Sequence, residues 1–306
     1  MLPERPRLGF IGFGAVAYHM AKGLHEEEGF TSILAYCDGP RNRPPYAQAF
    51  REKAAGAGVT LADTLADLAA GSDLILSAVT AAATLEVARQ TAPFLMSRHM
   101  FVDMNSASPR VKMEAGAMCA ARGATFVDCV LLAGPSMYRH RTLLWVSGPG
   151  AAEFQRVMSK YHMPIRAIDG PAGAAAQVKL LRSILMKSLE ASLWETALAA
   201  HRAGLDKQVR EAAFEWLDTL KFSFFANRLL CTGALHARRR VEELDEVVGM
   251  VRELGMEPVM AEAARRRLAG IAALDLKGHF NAEEPADYRT VLEAVDTVLA
   301  RKRGAS

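Results

Sequence analysis

Short apolar runs punctuate the first half of the chain and are separated by amphipathic stretches. They fall at Leu8–Ile11, Ile33–Cys37, Leu74–Ala78, Met100–Met104, Thr125–Cys129 and Leu143–Ser147, with a weaker one at Ile165–Ile168. Runs apolar on both faces suit strands covered on two sides, and their alternation with helical periodicity predicts a mostly parallel, doubly wound sheet. From Gly173 the strand signals stop. Residues 174–203 contain no proline or glycine and are apolar on nearly every face, which predicts one long, buried helix. Further helical patterns cover Lys207–Leu220, Thr232–Leu254, Val259–Leu274 and Ala286–Arg303. The expectation is an α/β domain over 1–170 and an all-α domain over 171–306, with the long helix between them. A helix apolar all round needs more cover than a small bundle offers. Burial in a homodimer interface is favoured over a central place in a single-chain bundle. The aromatic group Phe214, Trp216, Phe222, Phe224 and Phe225 is expected in the core.

The first strand runs directly into Gly12-Phe13-Gly14-Ala15-Val16-Ala17, a G-x-G-x-x-A turn that opens a helix. Gly12 permits the tight turn. Gly14, lacking Cβ, lets the backbone approach a pyrophosphate, and Ala17 lets the helix lie close to the sheet with its positive end toward the phosphates. This pattern belongs to a Rossmann dinucleotide-binding domain, with Phe13, Ala15 and Val16 completing the phosphate loop. Asp38 ends the second strand, where a carboxylate accepts hydrogen bonds from the adenosine ribose and repels a 2′-phosphate. Arg41 and Arg43 follow at once and suit a 2′-phosphate. The reading leans to NAD, with NADP the alternative. Val79 and Thr80, after the strand at Leu74–Ala78, are expected beside the nicotinamide half. Tyr18 and His19 are read as helix packing.

Composition narrows the classes. Of 306 residues, 51% are hydrophobic and 23% charged, and the net charge of +3 is too small to argue for nucleic acid. Neither a membrane span nor a signal peptide is expected, because no apolar run is long enough and residues 1–7 lead straight into the first strand. The four cysteines are scattered without metal-ligand spacing, so reduced thiols, no metal and a cytoplasmic protein are expected. Arg238-Arg239-Arg240, followed by Glu242 and Glu243, reads as a salt-bridged surface.

The long helix carries Lys179, Arg182, Ser183, Lys187 and Glu190 among apolar residues. Charges there are expensive unless paired or solvated in a cleft. Lys179 and Ser183 are one turn apart and can reach one small ligand. Glu190, roughly 16 Å further by helical rise, is expected to pair with Lys187. In an interdomain cleft beside the nicotinamide, the Lys179 ammonium would hydrogen-bond a substrate oxygen and exchange its proton as hydride moves. The alternative is a lysine snorkelling to the surface.

Together these residues resemble the β-hydroxyacid dehydrogenase and 6-phosphogluconate dehydrogenase superfamily. Gly9–Ala17 resembles that family's first turn. Phe101-Val102-Asp103-Met104-Asn105-Ser106-Ala107-Ser108-Pro109 resembles its D-x-S-T-x-x-P segment, Phe126–Val130 its strand entering the substrate loop, and Gly170–Lys179 its G-x-x-G-x-x-x-x-x-K segment. The resemblance implies that Lys179 is the catalytic acid/base, that Asn105 contacts cofactor and that Ser106 contacts substrate. Two departures stand out. Where the family carries a carboxylate-binding serine, this chain has the run Val130-Leu131-Leu132, with Leu132 at the matching position. Where it places an asparagine after the lysine, this chain has Arg182 and Ser183. Ser183 is expected to replace the asparagine as a hydrogen-bond donor, Arg182 to face the substrate, and Arg139, His140 or Arg141 to replace the serine by charge. For that loop the alternative is a solvated surface. The C-terminal half is similar to a phosphogluconate dehydrogenase-like domain of unknown function. The implied activity is hydride transfer between a nicotinamide cofactor and a small hydroxy acid or related carbonyl compound. Reductive decarboxylation, imine reduction and a catalytically silent dinucleotide-binding protein are the alternatives.

Overall fold

The computed structural model describes residues 1–40 and 42–304. The chain divides into two compact units, Met1–Ser183 and Ile184–Ser306. The first unit therefore runs thirteen residues past the expected boundary at 170, through the opening turns of the long helix.

The first unit holds one eight-stranded sheet of order β3-β2-β1-β4-β5-β6-β7-β8. The strands are β1 (Leu8–Ile11), β2 (Ile33–Tyr36), β3 (Thr60–Leu61), β4 (Leu74–Ser77), β5 (Met100–Asp103), β6 (Thr125–Leu131), β7 (Leu144–Ser147) and β8 (Ile165–Ala167). All neighbours are parallel except β6 and β7. Every residue of β1, β4 and β5 is buried, as expected of strands covered on both faces. Helices α1 (Ala15–Glu28), α2 (Gln48–Ala55), α3 (Leu65–Ala70), α4 (Thr84–Thr91), α5 (Pro109–Ala120), α6 (Pro135–Tyr138) and α7 (Ala151–Met158) link them, and α8 (Ala174–Ala203) begins in this unit. One core cluster, with Phe10, Met20, Leu24 and Phe154, lies on one side of the sheet. A second, with Ile75, Phe101 and Phe126, lies on the other.

Register positions the site. Ile11 is level with Tyr36 and Ser77, Ser77 with Asp103, and Asp103 with Asp128. The loops leaving β2, β1, β4 and β5 therefore start from one row, while β6 runs three residues beyond it. The chain reverses its direction of winding between β1 and β4, which opens a crevice at that edge.

The second unit is helical: the remainder of α8, then α9 (Asp206–Val209), a π-helical stretch at Arg210–Glu215, α10 (Trp216–Asp218), α11 (Phe222–Glu253), α12 (Val259–Ala272), α13 (Leu276–His279) and α14 (Tyr288–Gly304). The helix expected over Lys207–Leu220 is broken by the π turn, and α11 starts ten residues earlier than expected. The anticipated aromatic core is not formed within the chain, because Trp216, Phe222 and Phe224 are more than half exposed. Nor is α8 buried there. It leaves Leu181 59%, Ile184 68% and Trp194 73% exposed. Lys187 and Glu190 pair at 2.7 Å, as expected, and Arg239 pairs with Glu243.

Candidate active site

The glycine turn sits where β1 leaves the sheet. Gly12 has φ +85°, and a Cβ there would lie 2.5 Å from the Ala78 carbonyl oxygen, so β4 packs against a position that only glycine fills. Gly14 differs: its φ is −81°, and a Cβ would meet nothing within 4 Å among the described residues. The space above it is open toward the N-terminus of α1, whose amides receive no side-chain cap. Such a terminus attracts an anion through its unsatisfied N–H groups and the helix dipole.

A cavity of about 640 Å³ lies over this turn, lined by Gly12, Phe13, Gly14, Asp38, Val79 and Thr80 among others. Ala15 and Val16 form the first turn of α1 beside it. Asp38 is exposed at the cavity's edge, two residues beyond the end of β2. Arg43 is exposed and does not line the cavity, and Arg41 lies outside the described residues. Tyr18 packs edge-on to Phe13, with ring centroids 6.0 Å apart. The open turn at Gly14, the cavity volume and the carboxylate at its edge are features a dinucleotide would need.

Asn105 ties the cavity wall to the end of β5. Its Oδ1 accepts from the Val79 N–H at 2.7 Å, and its Nδ2 donates to Ser77 Oγ at 3.0 Å. Ser106 follows, exposed, and its Oγ accepts a 2.7 Å hydrogen bond from Lys179 Nζ. Lys179 is half-buried on α8. Burial lowers its pKa below the ordinary lysine range, helped by the nearby positive charges of Lys112 and Arg182. Ser183, one turn on, donates its hydroxyl proton to the Lys179 carbonyl at 2.9 Å. Its hydroxyl proton is thereby engaged by its own helix. Arg182 is exposed on the next turn of the helix.

The cationic loop lies elsewhere. Arg139 bonds Glu26 at 2.9 Å and Glu27 at 3.1 Å, and Arg141 bonds Glu27 at 3.1 Å. His140 is fully buried, 3.1 Å from Glu28. These acids end α1, roughly 16 Å by helical rise from its start beside the glycine turn. Arg139, His140 and Arg141, expected to replace the absent serine by charge or to form a solvated loop, meet a run of three glutamates. Leu132 packs with Val130, Ala175 and Ala176 at the start of α8, so an apolar surface stands where a carboxylate-binding serine was looked for.

One set of residues was not anticipated. Lys112 on α5 is fully buried and bridges Asp103 and Asp128, 3.2 Å from each. Burial raises the Asp103 pKa, and Lys112 opposes that rise. The spacing held a signal: Lys112, Ala115 and Cys119 share the stripe that α5 turns to the core.

Residues 7–160 match the model described as the NAD binding domain of 6-phosphogluconate dehydrogenase. Residues 200–271 match a domain of unknown function, DUF1932. The 28.5 kDa protein in the 7S RNA 5′ region of Methanothermus fervidus is 26% identical over 85% of this chain and 96% of its own. The structure of the conserved protein MTH1747, described as similar to 3-hydroxyacid dehydrogenases, is 30% identical. It covers 88% of this chain and 99% of its own, with a TM-score of 0.57. An imine reductase from Myxococcus stipitatus in complex with NADP+ shares the fold, with TM-score 0.72 and 17% identity over 88% of this chain and 94% of its own. A V8 variant of that reductase was solved with NAD+. With the glycine turn, the cavity and Asn105 in place, the matches make the chain a member of the NAD-binding, 6-phosphogluconate dehydrogenase-like family, joined to a helical DUF1932 domain.

Proposed function

We propose that the protein is an NAD(P)-dependent oxidoreductase acting on a small hydroxy acid or a related carbonyl compound, with Lys179 as acid/base. The observation that carries this reading is the Lys179–Ser106 contact of 2.7 Å, with Ser106 directly after Asn105, which accepts from the cavity-lining Val79. The nicotinamide, when bound, supplies or accepts the hydride. In reduction the Lys179 ammonium donates its proton to the substrate oxygen, and in oxidation the neutral amine takes it back. The lowered pKa makes the neutral amine more accessible than in an ordinary lysine. Ser106 holds the amine through its own lone pair, and its hydroxyl proton is left to donate to the same substrate oxygen. Asp38 at the cavity edge, with Arg43 off its lining, supports NAD as the preferred cofactor. The exposed apolar strip on α8 supports a homodimer, and four buried free cysteines suit a cytoplasmic protein.

Imine reduction is the second reading. It is favoured by the apolar surface at Leu132 and by the commitment of Arg139 and His140 to glutamates, since a C=N substrate needs a proton donor and no carboxylate clamp. The test is a screen of hydroxy acids, ketones and cyclic imines with the parent and Lys179→Met. Turnover should fall by about 10²–10⁴-fold in the variant with cofactor affinity intact. Unchanged turnover would remove Lys179 from the chemistry, and which substrate class reacts decides between the readings.

A further inference from the structure

Lys112 has no contact with solvent, an uncommon place for a lysine. Its Nζ donates to the Asp103 carbonyl oxygen at 2.7 Å and lies 3.2 Å from one carboxylate oxygen each of Asp103 and Asp128. The two aspartates are register partners on parallel strands, so their side chains leave the same face of the sheet. Without a cation between them, two buried carboxylates would share one site.

Two arms extend from this ammonium. In the first, Asp103 Oδ1 accepts from the backbone N–H of Asn105 at 2.9 Å, the residue just before Ser106. In the second, Asp128 Oδ2 accepts from the N–H groups of Gly173 at 3.0 Å and Ala176 at 2.9 Å, and from Ser147 Oγ at 3.2 Å. Ser147 Oγ in turn accepts from the Ala175 N–H at 3.0 Å. That arm fixes the opening turn of α8, one turn before Lys179. The loop that presents Ser106 and the helix that presents Lys179 are therefore tied to the same buried cation.

Ion triads of this kind contribute little stability for their desolvation cost, and well-packed apolar side chains do as well or better. What a triad supplies is a fixed geometry among elements distant in sequence. We propose that Lys112 is a positioning residue: its buried ammonium locks the Ser106 loop and the α8 start together, and so sets the place and protonation of Lys179. This rests on the reading of Lys179 as the acid/base. The Lys112 charge also acts on Lys179 directly, second only to burial in disfavouring its protonated form.

The test reads Lys179 itself, without a substrate. Exposed lysines are reductively methylated with 13C-formaldehyde, and the Lys179 resonance is assigned by its loss in Lys179→Arg. It is then titrated in the parent, in Lys112→Met and in Asp103→Asn/Lys112→Met. The double variant removes one charge of each sign and keeps a hydrogen-bond acceptor for Asn105, so it stays folded if the single variant does not. Cooperative melting and NADH binding within about twofold of the parent confirm the fold. The expected result is that Lys179 titrates at higher pH than in the parent, and that its methylation at neutral pH slows. A double variant that folds, binds NADH and titrates at Lys179 like the parent would overturn the proposal, because a residue that only packs changes the melting temperature alone. Failure of the acid/base reading would show separately, as full turnover in Lys179→Met with this titration still displaced.

Discussion

Alanine at Gly12 and alanine at Gly14 should have opposite consequences, although the residues belong to one motif two positions apart. At Gly12 an L-residue is strained by φ +85°, and its Cβ would sit 2.5 Å from the Ala78 oxygen and 2.9 Å from Val79 Cγ1. Left-handed backbone costs roughly 1–2 kcal/mol for a residue with a Cβ. Forcing a methyl group into packed surroundings adds about 1–3 kcal/mol. The total of about 2–5 kcal/mol lowers the melting temperature of a unit this size by on the order of 5–15 °C. At Gly14 the φ of −81° is open to any residue and the Cβ meets no described atom within 4 Å. The stability cost there is only that of a poorer helix N-cap, under about 1 kcal/mol. The same methyl group would stand between the α1 amides and a pyrophosphate. Losing one charge-assisted hydrogen bond costs about 1.5–3 kcal/mol, a roughly ten- to hundredfold weaker Kd. Thermal melting and nicotinamide fluorescence titrations, run side by side on both variants, check the pair. If Gly14→Ala binds NADH and NADPH with parent affinity, the turn is not the phosphate site. If Gly12→Ala melts with the parent, the close approach of β4 is not what holds that glycine.

The cofactor reading predicts that the parent binds NADH more tightly than NADPH, and that Asp38→Ser weakens NADH by roughly ten- to hundredfold, the value of hydrogen bonds to a charged acceptor. Tighter NADPH binding by the parent in a fluorescence titration would reverse the assignment. For Lys179, reductive turnover requires the ammonium. It should be full below the lowered Lys179 pKa and lost as pH rises through it, while oxidative turnover rises over the same window. A pH–rate profile with both limbs unmoved in Lys179→Met would sink that assignment. The exposed strip on α8 predicts twice the chain mass in light scattering, and Trp194→Glu should shift the population to monomer; a parent monomer at micromolar concentration would refute the dimer.

Much of the first unit was legible because its strands are covered on both faces. β1, β4 and β5 are continuous apolar runs, and the register that levels their ends follows from parallel winding. β3 has two residues, too few to carry a period. β6 continues two residues past the expected end at Cys129, through Val130 and Leu131. In the second unit the aromatic run Phe222–Phe225 suggested core packing, when it is the opening turn of a helix with a 32-residue span. The periodicity of α8 correctly marked a 30-residue helix, but periodicity reports which residues are apolar and not which surface covers them.

The cations of the site mark a sharper boundary. Lys179 and the loop Arg139–Arg141 looked alike in the sequence, as positive charges near a loop or helix that binds substrate in the resembled family. They differ in the counter-charge that the fold brings to them. The loop meets Glu26, Glu27 and Glu28, which lie more than a hundred positions away at the far end of α1. A local pattern cannot report that encounter. Lys112, too, is neutralised by acids from two strands. Lys179 meets a hydroxyl, with no carboxylate within ion-pair distance among the described residues. Its proton is thus held by a weak acceptor, in a half-buried setting that already disfavours the charge. Unlike Lys112 and the Arg139–Arg141 loop, it has no carboxylate partner among the described residues, which is what the proposed proton transfer to a substrate oxygen asks of it.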